Sequence, residues 1–159
     1  MTDIREIESF VYHEALLMDE MEFDQWLALW EEGGEYIVPI EQNTTPGARR
    51  QVAIINDDYT RLRQRVDRLK TGMVLAIDDA YGAMRRVVSN VQFSELTTPD
   101  EIEVRSNFIL GIARTSEQQL WIGRTIHHLH RTTAGLRIKR KTVLLINRKR
   151  EIPLLQFLI

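Results

Sequence analysis

The second half of the chain decides what the whole can fold into. From residue 84 onward, four long runs mix apolar and polar residues at a period of two, separated only by short turn-forming stretches. Such runs lie side by side as an antiparallel meander. The first, residues 84–93, sets Val87, Val91 and Phe93 between polar neighbours. Thr97-Thr98-Pro99-Asp100 then turns into residues 102–113, Thr115-Ser116-Glu117 into residues 120–130, and Thr133-Ala134-Gly135 into residues 136–146. These runs exceed the usual strand of about 5–6 residues. Sheets of long strands curl, and Gly111 and Gly123 are the expected sites of a bend or bulge.

A sheet with one apolar face needs cover on that face, and the first seventy residues read as that cover. Thr2 or Asp3 caps a helix to about residue 20, with Ile4, Ile7, Val11 and Met18 in a stripe widened by Phe10, Leu17 and Met21. Glu14 falls inside the stripe, and an unpaired buried charge is costly. It must therefore meet a buried donor, an arginine being the expected partner, or else lie at an opening in a catalytic role. Residues 23–30 read as a second helix bearing Phe23, Trp26, Leu27 and Trp30, ended by Gly33-Gly34. Residues 35–40 form a short strand, with Pro39 at its edge or end. Residues 41–51, with Pro46-Gly47 and Arg49-Arg50, form an irregular loop. Asn56-Asp57-Asp58 opens a third helix over residues 59–70. Leu62, Val66 and Leu69 point inward, Arg61, Arg63, Arg65 and Arg68 outward, and Gly72 stops it. Residues 73–83 read as a crossing segment around Asp78, Asp79 and Gly82. The architecture is thus α+β, one domain over residues 1–159.

Composition narrows the function by exclusion. With no cysteine among 159 residues, the chain can hold no disulfide, no thiolate iron–sulfur cluster and no cysteine zinc site. No apolar run reaches 18 residues and the N-terminal residues are acidic, so a cytoplasmic protein without a membrane span is expected. The glycosylation pattern Asn43-Thr44-Thr45 has no meaning in that compartment. A net charge of −2 does not suit nucleic-acid binding as a main task. The charge is uneven, however. Residues 1–35 carry eleven acids against Arg5, whereas residues 137–150 carry seven bases and no acid. Either two solvated faces or a contact between elements or subunits accounts for it. The apolar end, residues 152–159, needs a surface of its own domain or of another subunit.

Candidate chemistry is sparse. His127-His128-x-His130 places His128 and His130 on one strand face, but the carboxylate that would complete a 2-His-1-carboxylate iron site is not evident. No metal is expected. An acid–base pocket inside a cone of helices and sheet would draw on Asp57, Asp58, Tyr59 and His127, with Tyr36, Asp78 and Asp79 as further candidates. Asp57 and Asp58 have a competing explanation as a helix cap. There is no Gly-rich phosphate loop and no nucleophile elbow.

Several stretches together carry a resemblance. They are Tyr12-His13-Glu14-Ala15-Leu16-Leu17-Met18-Asp19 with Phe23-Asp24-x-Trp26-Leu27, then Asn56-Asp57-Asp58 and Arg65-Val66-x-Arg68-Leu69-x-Thr71-Gly72. Arg85-Arg86-Val87-Val88-Ser89-Asn90-Val91, Ser106-Asn107-Phe108 and Gly123-Arg124 complete the series. In this order and spacing the chain resembles the small (beta) subunit of aromatic-ring-hydroxylating dioxygenases, the Rieske non-haem iron oxygenases, over nearly its whole length. It departs from the family pattern at residues 80–84 and at His127, where the family often has aspartate.

The resemblance implies a cone-shaped fold of the nuclear-transport-factor/ketosteroid-isomerase (cystatin-like) type. It also implies a hexamer of three large and three small subunits. In that family the large (alpha) subunit carries the Rieske [2Fe-2S] cluster and the mononuclear iron, fed with electrons by separate components, and the small subunit is mainly structural. No catalytic residue, cofactor or metal is then expected on this chain. Charge distribution and the apolar end point to Arg85, Arg86, Asn90, Asn107, Arg137, Lys139, Lys141 and Phe157 as subunit contacts. The alternative is a stand-alone isomerase, dehydratase or hydrolase, or a ligand-binding protein, using the cavity of the same cone. A cavity with a buried acid–base pair favours that alternative, whereas a cone filled with side chains favours the subunit.

Overall fold

A computed structural model describes residues 2–40, 52–71, 83–113, 117–148, 150, 155 and 157–159. The expected loop at 41–51, the stop at Gly72, most of the crossing segment with Asp78, Asp79 and Gly82, and the turn residues Thr115-Ser116 lie outside them. Three helices and six strands follow in the order α1 (Ile4–Asp19), α2 (Phe23–Leu27), β1 (Trp30–Pro39), β2 (Ala53–Asp58), α3 (Tyr59–Lys70), β3 (Met84–Glu95), β4 (Glu101–Ala113), β5 (Gln118–Thr132) and β6 (Gly135–Leu145). The strands form one sheet in the order β2-β1-β6-β5-β4-β3. β3 to β6 are the expected antiparallel meander. β1 joins β6 in parallel and β2 pairs antiparallel with β1. β2 was not foreseen, because its six residues carry the acids that also open α3.

Local chemistry explains the helices. The Asp3 carboxylate caps α1 by accepting from the Arg5 N–H at 3.0 Å, and Ile7, Val11, Ala15 and Met18 bury its sheet side. Ile4 and Met21, expected in the stripe, are more than a third exposed. Met21 lies beyond the helix end with φ 57°. Asp58 caps α3 through the Arg61 N–H at 2.9 Å, and Leu62, Val66 and Leu69 are buried beneath it.

α2 is shorter than its sequence suggests. It spans five residues, and Trp30 instead begins β1, beside the Leu29 carbonyl that accepts from the Ile138 N–H at 2.8 Å. Trp26, Trp30 and Tyr36 pack edge to face with centroids 5.3–6.1 Å apart. Gly33 and Gly34 therefore lie inside a strand and end no helix. A Cβ at Gly34 would sit 2.8 Å from the Trp30 ring, so glycine is what lets the indole close on the backbone.

Within the meander the bulges are not at Gly111 or Gly123 either. β4 and β5 run in unbroken register through Gly111 and Gly123. Gly123 instead answers a close approach, since a Cβ there would meet the Leu144 carbonyl at 2.7 Å and the Phe108 ring at 2.9 Å. Register shifts fall at Ser89/Gln92 in β3 and opposite His128/Leu129 in β6. Asn90 sits in the first with φ 53°. One extra residue reverses which side of the pleat the following side chains take. So Val87 points out and is 66% exposed, while Val91 and Phe93 pack on the core. The even alternation of the sequence had suggested one face for all three.

A left-handed backbone is tolerated by asparagine and glycine but not by a β-branched residue. Asn90→Gly should stay within about 1 kcal/mol of the parent, whereas Asn90→Val should cost roughly 1–3 kcal/mol. Urea unfolding midpoints of the two variants check this.

Candidate functional site

The uneven charge of the sequence is settled largely inside the chain. Seven of the eleven N-terminal acids pair with bases or histidines: Glu6 with Arg131, Glu14 with Lys141 and His127, Asp19 with Arg86, Glu20 with Arg85, Asp24 with Lys70, Glu31 with His130, and Glu35 with Arg140. Most are exposed pairs that contribute little. Two are buried, and these define the interior of the cone.

Glu14 on α1 is the centre. One carboxylate oxygen takes the Lys141 ammonium of β6 at 2.7 Å and the Trp26 indole N–H of α2 at 3.1 Å. The other lies 3.0 Å from His127 Nε2 of β5. Side-chain exposures of 1–2% put this cluster out of reach of solvent. Lys141 Nζ also sits 5.9 Å from the centroids of both Trp26 and Tyr36, within cation–π range. Beside it, Arg86 of β3 grips Asp19 through its Nε at 2.7 Å and its backbone N–H at 2.8 Å, and donates to the Leu158 carbonyl at 3.0 Å. Tyr36 OH donates to the Ile159 carbonyl at 2.7 Å and accepts the Ile159 N–H at 3.1 Å.

The electrostatics follow from these contacts. Burial by itself would raise the pKa of Glu14, but the Lys141 ammonium and His127 outweigh it and hold the carboxyl well below the usual carboxylate range. Burial, with Arg86 nearby, lowers the pKa of Lys141 against the opposing pull of Glu14. Burial raises that of the Tyr36 phenol. The expected arginine partner of Glu14 is thus a lysine, and the sequence could not show it because Lys139 is an extra residue in β6. Lys139 and Arg140 both face outward, which turns Lys141 inward.

The space left over is small. The cavity bounded by Glu14, Arg86, Ser106, Thr125, His127 and Lys141 measures about 20 Å³, room for about one water. A substrate-sized pocket needs roughly 300–1,000 Å³. The pocket candidates are also dispersed. Asp57 pairs with Arg65 at 2.6 Å, Asp58 caps α3, and Tyr59 is its half-buried first residue. Of the four, only His127 reaches the interior. His128 and His130 point to the other side of β5, against Glu103 and Glu31. Among the described residues no three metal-ligating side chains converge, and with no cysteine a Rieske cluster does not fit.

Three residues expected at subunit contacts are turned inward. Arg86 and Lys141 anchor the buried carboxylates, and Phe157 is 3% exposed with its ring 5.3 Å from Trp121. Leu158 and Ile159 are buried as well, so the apolar end covers its own domain. Arg85, Asn90, Asn107, Arg137 and Lys139 do lie on the outer side of the sheet.

Residues 13–150 match the family model described as "Ring hydroxylating beta subunit". This chain belongs to that family. It is 34% identical over 137 residues to the small oxygenase component of the p-cumate 2,3-dioxygenase system of Pseudomonas putida, across 86% of this chain and 75% of that one. Its fold superposes on the beta subunit of benzoate 1,2-dioxygenase from Burkholderia mallei with a TM-score of 0.80 at 20% identity, over 99% of both chains. It matches a chain of naphthalene 1,2-dioxygenase with a TM-score of 0.82 at 18% identity, over 100% of this chain and 88% of that one. An NTF2-like protein with a cystatin-like fold from Novosphingobium aromaticivorans shares the architecture at TM-score 0.63 and 16% identity, over 91% and 82% of the two chains. The expected α+β cone is therefore the observed fold.

Breaking a buried pair leaves a stranded charge. Glu14→Gln should cost about 3–5 kcal/mol, and Glu14→Leu with His127→Leu and Lys141→Met should recover most of it. The folded pKa of Glu14 lies below its unfolded value, so its stabilisation is complete above the ordinary 4.5 and is lost as pH falls below that. Urea unfolding from about pH 5 to pH 3 should show a steeper loss in the parent than in the triple variant.

Proposed function

We propose that this chain is the noncatalytic small subunit of a multicomponent aromatic-ring-hydroxylating dioxygenase. It supports large subunits that carry the Rieske cluster and the mononuclear iron, in an assembly of three large and three small chains. The observation that carries this reading is the filled cone. Among the described residues the buried acid–base cluster around Glu14 is enclosed, fully partnered at Glu14, and beside a cavity of about 20 Å³, so it has no room to meet an aromatic molecule. What the cluster does is fasten α1 and α2 to β5 and β6. Membership of the beta-subunit family and the relative's role as a small oxygenase component support the same division of labour, with oxygen chemistry on the partner. Ring hydroxylation then needs this chain for assembly, and the choice of aromatic substrate lies mainly with the large subunit.

Tagged protein drawn from its own host should come with a larger, iron-bearing chain at a native mass near that of a hexamer. Recovery as an iron-free assembly of this chain alone, from cells degrading aromatic compounds, would refute the subunit reading and favour the pocket enzyme.

A further inference from the structure

Only one of the two ring nitrogens of His127 is accounted for. Nε2 lies 3.0 Å from a Glu14 oxygen, whereas Nδ1 is buried with no hydrogen-bond partner among the described residues. A buried polar atom left alone keeps the full cost of losing water, and in native proteins such atoms find a protein partner or an ordered water. His127 also lines the enclosed space of about 20 Å³ beside α1. The pleat brings further polar groups to that space. Thr125 and His127 lie two apart on β5 and share its inner face. Ser106 of β4 stands opposite Thr125, and Lys141 of β6 opposite His127. Ser106 and Thr125 are buried and line the space as well. Of the three Lys141 N–H donors, one reaches Glu14 at 2.7 Å and another Met18 Sδ at 3.3 Å, which leaves a third.

What Nδ1 can bind follows from where the ring carries its proton. A carboxylate 2.7 Å from an ammonium is ionised and can only accept, so Nε2 carries the N–H and the neutral ring presents Nδ1 as an acceptor. With a neutral ring the interior is balanced, Lys141 and Arg86 against Glu14 and Asp19, and an added ion would be a buried charge without a counter-charge. Nδ1 therefore calls for an uncharged donor. A water needs roughly 10–15 Å³ and about two to four polar partners, and the space offers both. An apolar gas of similar size would leave Nδ1 unbonded.

We infer that the interior is a binding site for one structural water, held by His127 Nδ1, the Ser106 and Thr125 hydroxyls and the third N–H of Lys141. The water donates one O–H to Nδ1 and the other to a hydroxyl oxygen, and it accepts from the second hydroxyl or from Lys141 Nζ. It ties β4 to a cluster whose direct side-chain bonds join α1, α2, β5 and β6. The inference does not depend on the assembly proposed above.

The test uses the full-length chain with its histidine rings labelled with nitrogen-15. In the parent, the His127 Nε2 resonance should be that of a protonated nitrogen and the Nδ1 resonance that of an acceptor in a hydrogen bond. A crystal structure of the same chain should show an oxygen about 2.7–3.2 Å from Nδ1. Ser106→Val removes a hydroxyl and fills the space, so the oxygen should be lost and the Nδ1 resonance should move to that of an acceptor without a partner. The circular dichroism of that variant should match the parent's. A proton on Nδ1, an unbonded Nδ1 resonance in the parent, or an empty space in its crystal structure would each overturn the water. So would a folded Ser106→Val chain whose Nδ1 resonance has not moved. Should Ser106→Val fail to fold, the two measurements on the parent decide the matter by themselves.

Discussion

A carboxylate at the centre of an apolar helix face is the constraint around which this fold closes. Glu14 cannot be buried alone, because a lone charge in the interior costs several kcal/mol. It is tolerated because four elements converge on it: α1 supplies the acid, α2 the Trp26 N–H, β5 the His127 ring and β6 the Lys141 ammonium. Each contact is directional, so the cluster admits few arrangements of the helices over the sheet. A well-packed apolar interface of similar volume can match such a pair in stability, so the cluster's contribution lies in its directional contacts. Arg86 and Asp19 repeat the device where α1 meets β3. The two buried pairs fix the C-terminal half of α1 to both halves of the sheet.

This closure bears directly on function. The fold is one in which a cone opens around polar groups, and here the cone does contain a carboxylate, an imidazole and a lysine. Glu14 holds both the Lys141 ammonium and His127 Nε2, leaving only His127 Nδ1 without a partner among the described residues, and Ile159 and α1 close over the cluster. A general base needs a proton to abstract within reach, and the cavity beside this cluster, about 20 Å³, holds no more than about one water. The polar interior has become an internal fastening. That arrangement accords with membership of the ring-hydroxylating beta-subunit family.

The alternation of the meander was legible because period two is a direct consequence of pleating, and the α1 and α3 stripes because period 3.6 is equally direct. Glu14 stood out for the same reason, as a polar break in an apolar stripe. What the sequence concealed was phase. A bulge adds one residue without changing the run's composition, so Asn90 and Lys139 look like ordinary members of their strands. Yet the first sends Val87 outward, and the second draws Lys141 inward. Surface and interior were exchanged at these positions, which is why Lys141 read as a surface base. The short α2 was hidden for a different reason: the aromatic packing of Trp26, Trp30 and Tyr36 overrides the helical spacing of their side chains. The two opposite charge runs hinted at the pairing of N-terminal acids, but only Glu14 and Glu35 meet the basic run, through Lys141 and Arg140; the other partners lie outside it.

The same bulge bears on how the sheet can associate. β3 lies at the sheet's edge, and a long edge strand invites pairing with another chain. Two features oppose it. The Arg86 N–H is already taken by the Asp19 carboxylate, and the Asn90 bulge interrupts the register a little further along. Strand addition at β3 would have to displace a buried ion pair and straighten a bulge. The bulge that protects the edge also sets the phase that puts Val87 outside, so one extra residue both discourages open-ended strand pairing and fixes which side chains the outer face presents.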